Sequence, residues 1–345
     1  MPLKLTNVLH FSAICLISAI LYNKLTLSYH ARSLSSILQL RMSSVSPSDP
    51  VAVFVGGTSG IGQGMAEAFN RHVKGNGHIV LVGRNREAAE GIIAQMKSVH
   101  GNSSKGTYEF IAVEDASLMS SVKSTSSEIL SKYPKINYLI MSAGYMSPYR
   151  SVTSEGHDKK TALQYYSRWA FIHHLLPALK TARDSKEDVR VMSVYGAGKG
   201  GDINVDDLGF KKDLNAAVNT AGVTYNDLMV EEYALRNPGI LFTHSYPGAV
   251  RTNLLRASDS ALLRFGSMLS PLLYPFTVSQ EECAENMWSG LHSCDVNKPG
   301  STGIPGAYRI GNKGEDIGMK GYFGSAEKRK LVWELTAKET GIDDA

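Results

Sequence analysis

The chain has 345 residues, 43% of them hydrophobic, which is enough to bury one large core and fits a single α/β domain with an extension better than two independent domains. Its net charge of +4 comes from four basic residues that lie before Asp49, so the rest of the chain is balanced and nucleic-acid binding is not indicated. The three cysteines, Cys15, Cys283 and Cys294, lack the spacing of a disulfide framework or a zinc site, which predicts a reduced, intracellular body and no metal.

Residues 1–48 are predicted to form an extension outside the domain. The run 7–22 is mostly apolar and is flanked by lysines, but it contains polar residues and is shorter than the ~20 residues that a membrane-spanning helix needs. Four interpretations stay open: an N-terminal membrane anchor, a cleaved signal or transit peptide, a true start at Met42, and an extension that packs on the body. The protein is accordingly expected in the cytoplasm, or anchored to a membrane through residues 7–22 and facing the cytosol.

From residue 49 onward, short aliphatic runs alternate with longer amphipathic stretches, without repeats or low-complexity linkers. The predicted strands are 51–55, 78–83, 109–113, 137–142, 189–194, 240–246 and 307–310. Continuous apolar strands separated by helical stretches are typical of a parallel sheet that is covered on both faces. The sequence therefore predicts one doubly wound α/β domain of the Rossmann type over residues 49–345, with about seven strands.

The first predicted strand runs directly into the glycine-rich turn GGTSGIG, which opens a helix. In such a turn Gly56 permits the sharp bend, Gly60 lets the backbone approach a pyrophosphate, and Gly62 lets the helix pack on the strand. The free N–H groups of the helix N-terminus suit phosphates. This context predicts a dinucleotide site rather than an ordinary tight turn, and Ser59 and Ile61 belong to the same predicted site.

Arg84 and Asn85 follow the second predicted strand. An NAD site usually carries an acidic residue here, about 20 residues beyond the glycines, to bind the ribose 2′-hydroxyl. The first acid in this chain is Glu87, and a guanidinium suits a 2′-phosphate, so the sequence favours NADP(H). The alternative is that Arg84 is a solvated residue at the start of a helix.

These motifs and others further along resemble the short-chain dehydrogenase/reductase family over residues 51–308. GGTSGIG is similar to that family's TGxxxGIG loop, VEDAS to the end of its third strand, IMSAG to its NNAG segment, and YPGAVRT to its PGxVxT element. The resemblance implies that Asp115 contacts adenine and that the last element lies beside the nicotinamide. The further cofactor-binding residues that it implies are Ser142, Ala143, Gly144, Pro247, Gly248, Val250 and Thr252.

The stretch GDINVDDLGFKK, followed by a helix that ends in EEYALRNPG, resembles the retinol-dehydrogenase type. ALQYYSRWAFIHHLLPAL and NPGILFTHSYPGAV are closer still to reductase-like proteins found with fungal polyketide and terpenoid pathways. This resemblance implies an oxidoreductase in secondary metabolism. Residues 254–300 contain a run rich in Leu, Met and aromatic residues, which in this family closes over the substrate and here indicates a lipophilic ketone or alcohol. The alternatives for this run are a core helix, a contact in a homo-oligomer, or a strip on a membrane surface.

This chain differs from the catalytic part of the family pattern at four positions. In the family, a tyrosine donates or takes the substrate proton and a lysine one turn later lowers the pKa of that tyrosine. Alignment puts Asn219 in the tyrosine position, Val223 in the lysine position, Gly196 in the serine position, and Gln164 in the position of an asparagine that supports a water relay. An amide cannot serve as an acid near neutral pH, and valine carries neither charge nor a hydrogen-bonding group.

A replacement pair stands in SVYGAGKGG, just after the fifth predicted strand. Tyr195 and Lys199 have the Y-x-x-x-K spacing there, and we predict them as the catalytic residues. The four glycines of this stretch oppose a helix, so the two side chains need not share a face. The alternative role for Tyr195 is to cap the core.

Other residues are weaker candidates. Tyr145 follows the SAG motif and is expected to border the substrate, Tyr225 is expected to pack, and His173 and His174 are predicted to be core or interface histidines. No Ser-His-Asp or metal-ligand constellation is evident in the sequence. Two functions therefore compete: an NADP-dependent oxidoreductase with an atypical proton donor that acts on a lipophilic small molecule, and a non-catalytic NADP-binding scaffold or regulatory protein.

Overall fold

The structure is a computed structural model that describes residues 49–342 except 102–103, 211–215, 255, 257 and 269–276, together with the backbone but not the side chains of 216–219, 263 and 266–268. The apolar run 7–22, Met42 and much of the predicted lid run lie outside the described residues. Among the helices that are described, none combines the length and the apolar character that crossing a membrane requires.

Seven strands form one sheet in which every neighbouring pair is parallel. They are β1 (Val51–Val55), β2 (His78–Gly83), β3 (Tyr108–Ala112), β4 (Tyr138–Met141), β5 (Arg190–Val194), β6 (Leu241–Ser245) and β7 (Ala307–Ile310). Their order across the sheet is β3-β2-β1-β4-β5-β6-β7. The predicted doubly wound α/β fold is confirmed, and β1, β2 and β7 have the predicted bounds.

Helices connect the strands. They are α1 (Gly60–His72), α2 (Arg86–His100), α3 (Met119–Lys132), α4 (159–184), α5 (Ala216–Arg236), α6 (Ala261–Met268), α7 (Gln280–Ser293) and α8 (Ala326–Thr340). Helix α4 begins as Lys159–Thr161, passes through a π-helical turn at Ala162–Tyr166 and continues as Ser167–Asp184.

Both faces of the sheet are covered by helices, and alternate residues of β1 pack against the helices on each face. Val51, Val53 and Val55 pack with α3, α4, α5 and α8, whereas Ala52 and Phe54 point to the other face and pack with α1, α2 and α7. A strand buried on both faces must be apolar at every position, which explains why the strands read as continuous hydrophobic runs. The order of the strands reverses between β1 and β4, and ligands of such sheets bind at the carboxyl ends of the strands beside that point.

Candidate active site

The glycine turn after β1 is packed too closely for any side chain. Gly56 has a φ of +87°, and a Cβ there would lie 2.6 Å from the backbone N of Ala143. A Cβ on Gly62 would lie 2.4 Å from both Gly56 O and Ser142 Oγ. Only glycine fits at these positions without backbone movement. The two glycines therefore hold the start of α1 against the ends of β1 and β4.

The N-terminus of α1 is open toward the solvent side of this turn. Ser59 is its N-cap residue in an extended conformation, and its side chain makes no capping hydrogen bond. Gly60 has a φ of +57°, and a Cβ there would lie 3.3 Å from Thr252 Cγ2, while Ile61 packs against the core. The first N–H groups of a helix lack intrahelical partners, so this end fits a phosphate. Thr252, predicted from a different motif, lies beside it.

The adenine end of the predicted cofactor site lies after β2 and β3. Arg84 and Asn85 are exposed, and the Asn85 side chain caps α2. Asp115 Oδ1 accepts hydrogen bonds from Ser117 N at 2.9 Å and Ser117 Oγ at 2.6 Å, and its Oδ2 lies 3.6 Å from Lys159 Nζ. Burial opposes ionisation of Asp115, but these hydrogen bonds and the charges of Lys159 and Arg84 hold its pKa below the ordinary value. The charge of Arg84 therefore acts on Asp115, the residue predicted to contact adenine.

The residues predicted for the nicotinamide end follow β4 and β6. Pro247 is buried. Gly248 has a φ of +80°, and a Cβ added there would lie 3.1 Å from Asn312 Cβ. Val250 forms an isolated parallel bridge with the segment before α7. Gly144 is exposed and has open space around it. The loops that would flank a nicotinamide are thus fixed by the fold at the same edge of the sheet.

Tyr195 stands immediately after β5 at this edge. Its Oη donates a hydrogen bond to Gln164 Oε1 at 2.9 Å, and Gln164 Nε2 donates to the carbonyl oxygen of Tyr145 at 3.0 Å. Gln164 lies in the π-helical turn of α4, and such turns occur frequently at functional sites. Burial raises the pKa of Tyr195, although the charge of Arg168 lowers it. The phenol is therefore protonated at neutral pH and is oriented by Gln164, the residue predicted for the family's asparagine position.

A buried guanidinium, which the sequence reasoning missed, lies against Tyr195. Arg168 Cζ is 5.4 Å from the centroid of the Tyr195 ring, and the residue is only 2% exposed. The guanidinium donates to Ser193 Oγ at 2.7 Å, Val194 O at 2.9 Å and Ala143 O at 3.0 Å, which ties α4 to the ends of β4 and β5. Burial lowers the pKa of Arg168 to about 10, so it remains charged at neutral pH. The available signal was a basic residue within the largely aromatic run YYSRWAF.

The opposite side of Tyr195 faces a buried polar network. The Tyr195 ring stacks on His244 with centroids 6.3 Å apart. Because His244 Nε2 accepts the N–H of Gly196 at 3.1 Å, its Nδ1 carries the proton and donates to Asp227 Oδ1 at 2.6 Å. Asp227 also forms an ion pair with Arg309, with Nε and Oδ1 3.0 Å apart. Burial lowers the pKa of His244 although Asp227 opposes that shift, so the imidazole is neutral.

The predicted partner of Tyr195 lies elsewhere. Lys199 is exposed, and its Nζ lies 5.2 Å from the centroid of the Tyr246 ring. The cation over the Tyr195 ring is that of Arg168. The turn through SVYGAGKGG is not helical, so the Y-x-x-x-K spacing does not stack the tyrosine and the lysine one turn apart.

Two of the predicted departures from the family pattern lie against each other. Val223 is buried on α5, and a Cβ added to Gly196 would lie 2.8 Å from Val223 Cγ2. Val223, which is predicted to hold the lysine position, therefore occupies the space that a serine side chain at position 196 would need. Asn219 lies on α5 as predicted, but its side chain is outside the described part of the chain.

The weaker candidates have ordinary structural contacts. Tyr145 Oη donates to Asp259 Oδ2 at 2.7 Å, and the buried Tyr225 donates to a backbone carbonyl. The His173 ring stacks on a tryptophan of α4, and the ring of His174 lies edge-on to that of His173, with centroids 5.6 Å apart. Within the described ranges, no group of three or more His, Cys, Asp or Glu residues could hold a metal ion.

Comparison with known proteins identifies the family. The family model described as short chain dehydrogenase matches residues 50–261. Oxidoreductase AN1596 of Emericella nidulans is 34% identical over 73% of this chain and 74% of the relative, and oxidoreductase andH of Emericella variicolor is 34% identical over 70% and 68%. The fold is similar to that of the Pseudomonas aeruginosa RhlG/NADP active-site complex, with a TM-score of 0.55 and 17% identity over 78% of this chain and 96% of that chain. The chain belongs to the short-chain dehydrogenase/reductase family.

Proposed function

We propose that the protein is an NADP(H)-dependent reductase of a lipophilic ketone, with Tyr195 as the proton donor. The observation that carries the proposal is the contact of the Tyr195 phenol with Gln164, 2.9 Å apart, at the carboxyl edge of the sheet. The same edge carries the glycine turn, and Arg168 bonds both Val194, which precedes Tyr195, and Ala143, which lies against Gly56. A proton donor and a dinucleotide cradle are thus adjacent.

The proposed cofactor rests on two features. The open N-terminus of α1 and the glycine turn suit a pyrophosphate, and Arg84 stands where an acid would select NAD. Arg84 is exposed and forms no ion pair with a described residue, so its guanidinium is available for a 2′-phosphate. The similar P. aeruginosa structure is, by its name, a complex of that protein with NADP.

The chain would supply the proton of the reaction. The reduced dinucleotide, when bound, supplies a hydride to the carbonyl carbon. The O–H bond of Tyr195 breaks, its proton goes to the carbonyl oxygen, and the resulting phenolate regains a proton from water. Oxidation of an alcohol would instead need Tyr195 as a base. Burial raises the pKa of Tyr195, so at neutral pH the phenol is in the protonated form that reduction requires.

The surroundings of the site support a lipophilic substrate. On α6, Leu262 and Phe265 are 78% and 62% exposed, which is unusual for large apolar side chains unless they meet a ligand or a surface. Asp259, just before α6, bonds Tyr145 and Ser147 of the loop after β4. The apolar helix is therefore attached to the loop that borders Gln164. The relatives of this protein in two Emericella species are oxidoreductases, which is consistent with a role of this protein in secondary metabolism.

The test is NADPH consumption with a panel of lipophilic ketones, including polyketide- and terpenoid-like compounds. Tyr195→Phe should lower turnover about 10²–10⁴-fold while NADPH affinity stays nearly unchanged, because only a general acid is lost. Tyr308→Phe is the matched control, since the Tyr308 hydroxyl donates to the carbonyl oxygen of Asp295 away from the site. Full turnover in the Tyr195→Phe protein would contradict the proposal.

A non-catalytic NADP-binding protein is the second candidate, and the packing of Val223 on Gly196 favours it. This contact fills the positions of the family's lysine and serine with apolar and backbone atoms. Such a protein would bind NADPH but consume none with any member of the panel. On this second proposal, Asn219→Tyr combined with Val223→Lys would create activity toward simple lipophilic ketones that the unmutated protein lacks.

A further inference from the structure

Arg168 carries a charge in the interior, and its hydrogen-bond partners in the described part of the chain are all uncharged. They are Ser193 Oγ and the carbonyl oxygens of Val194 and Ala143, at 2.7–3.0 Å. The residue is 2% exposed, so water does not compensate the charge. A buried cation without a counter-ion is costly, and it favours any adjacent group that can become negative.

Tyr195 is the adjacent group that can become negative. The Arg168 guanidinium lies over its ring at 5.4 Å, and the ring of His244, which is neutral, stacks on it. Behind His244, Asp227 is paired with Arg309, so these two charges largely offset each other. Among these three charged side chains, Arg168 is the one that lies over the phenol ring and whose described hydrogen-bond partners are all uncharged, so its charge favours the phenolate.

We propose that Arg168 stabilises the phenolate that forms when Tyr195 gives up its proton, and thereby replaces the lysine that α5 lacks. The lysine position holds Val223, and the Lys199 ammonium lies over Tyr246. The inference rests on the proposed role of Tyr195 as proton donor. Arg168 acts on the reaction only through Tyr195.

The test is to titrate the phenol itself. Difluorotyrosine is incorporated at position 195, and its ionisation is followed by ¹⁹F NMR in the unmutated chain, in Arg168→Met and in Arg168→Lys. Loss of the Arg168 charge should lower the acid dissociation constant of the phenol at position 195 at least about tenfold. The midpoint of its ionisation should therefore rise by about one pH unit or more. Arg168→Lys should retain part of the effect. An unchanged midpoint in Arg168→Met would overturn the inference.

Arg190→Met is the matched control. Arg190 is also a buried arginine, but it lies at the start of β5 and its Nε is paired with Asp188 at 2.7 Å. Its loss should leave the midpoint at position 195 unchanged. A shift equal to that of Arg168→Met would mean that the loss of any buried arginine loosens the site, and this too would overturn the inference.

A second measurement avoids the risk that Arg168→Met fails to fold. In the unmutated chain, difluorotyrosine at position 195 is compared with difluorotyrosine at position 225. The Tyr225 hydroxyl donates to Leu208 O at 2.7 Å, and no cation lies against its ring among the described residues. Burial raises the pKa of Tyr225, and Tyr166, Tyr165 and Asp207 raise it further. Position 195 should ionise at the lower pH, and a midpoint equal to or above that of position 225 would contradict the role of Arg168.

These titrations need neither substrate nor cofactor, so they separate the two proposals. Absence of turnover in the unmutated protein would contradict the reductase but would leave the titration result intact. If the protein is active, Arg168→Met should also lower kcat about tenfold.

Discussion

The contact between Gly196 and Val223 predicts an energetic coupling that can be measured. In Gly196→Ser, the new Cβ would lie 2.8 Å from Val223 Cγ2, well inside the 3.5–4.0 Å at which carbon atoms normally touch. Valine on a helix has one strongly preferred rotamer, so it cannot turn away easily. Overpacking of this kind costs about 1–3 kcal/mol of stability.

Removing the valine methyl groups should relieve the clash. Val223→Ala alone should cost about 2 kcal/mol, because two buried methyl groups are lost and a small cavity remains. In the double variant Gly196→Ser with Val223→Ala, the serine side chain enters that cavity. The cost of the double variant should therefore be about 1–2 kcal/mol less than the sum of the two single costs.

Urea unfolding of the four proteins, followed by tryptophan fluorescence, gives the free energies of the cycle. Gly222→Ala is a suitable control on the same helix, because its Cβ would come no closer than 3.8 Å to another residue, and it should be neutral or slightly stabilising. If the two substitutions were additive within about 0.5 kcal/mol, the packing explanation for the two departures would be wrong.

Three further predictions concern the cofactor, acid stability and the N-terminus. NADPH should bind at least about tenfold more tightly than NADH, about 1.4 kcal/mol, and Arg84→Asp should remove most of that difference in a binding titration; equal affinities in the unmutated chain would end the NADP assignment. Although burial opposes its ionisation, hydrogen bonds from His72 and Arg71 lower the pKa of Glu285, so its contribution to stability is complete above the ordinary value of 4.5 and is lost as pH falls through the folded-state pKa. Glu285→Gln should therefore show a smaller drop in Tm on acidification than the unmutated chain, and an equal drop would contradict this origin. A chain that begins at Met42 should stay soluble and bind NADPH as the full chain does, whereas aggregation would show that residues 1–41 are part of the fold.

The fold could be predicted because its signals are local. Each strand is an apolar run bounded by turn residues, and β1 is apolar at all five positions because both of its faces are covered. The glycine turn could also be predicted from the sequence. The strand–turn–helix pattern brings Gly62 close to Gly56, and a Cβ at Gly62 would lie 2.4 Å from Gly56 O. Strand bounds differ by one residue in places because flanking residues of the same type extend the apolar run.

The environment of Tyr195 could not be predicted in the same way because it depends on long-range contacts. Arg168 on α4 and His244 on β6 reach the tyrosine from elements far apart in sequence. The run YYSRWAF marks Arg168 as an unusual basic residue, but it does not indicate Tyr195 as its partner. The spacing of Lys199 made it a candidate partner, although the four glycines already opposed a helix there, and its ammonium lies over Tyr246. Tyr195 itself was accessible to sequence reasoning because it follows a strand end directly.

The most direct test of the central claim is an experimental structure of the protein with NADP⁺ and a ketone or alcohol ligand bound. The account predicts that the nicotinamide lies beside Tyr195, that the ligand oxygen is within about 2.6–3.2 Å of Tyr195 Oη, and that Arg84 contacts the 2′-phosphate. A nicotinamide that lies away from Tyr195, with the ligand oxygen held by another residue, would contradict the claim that the proton donor of this enzyme has moved from α5 to the end of β5.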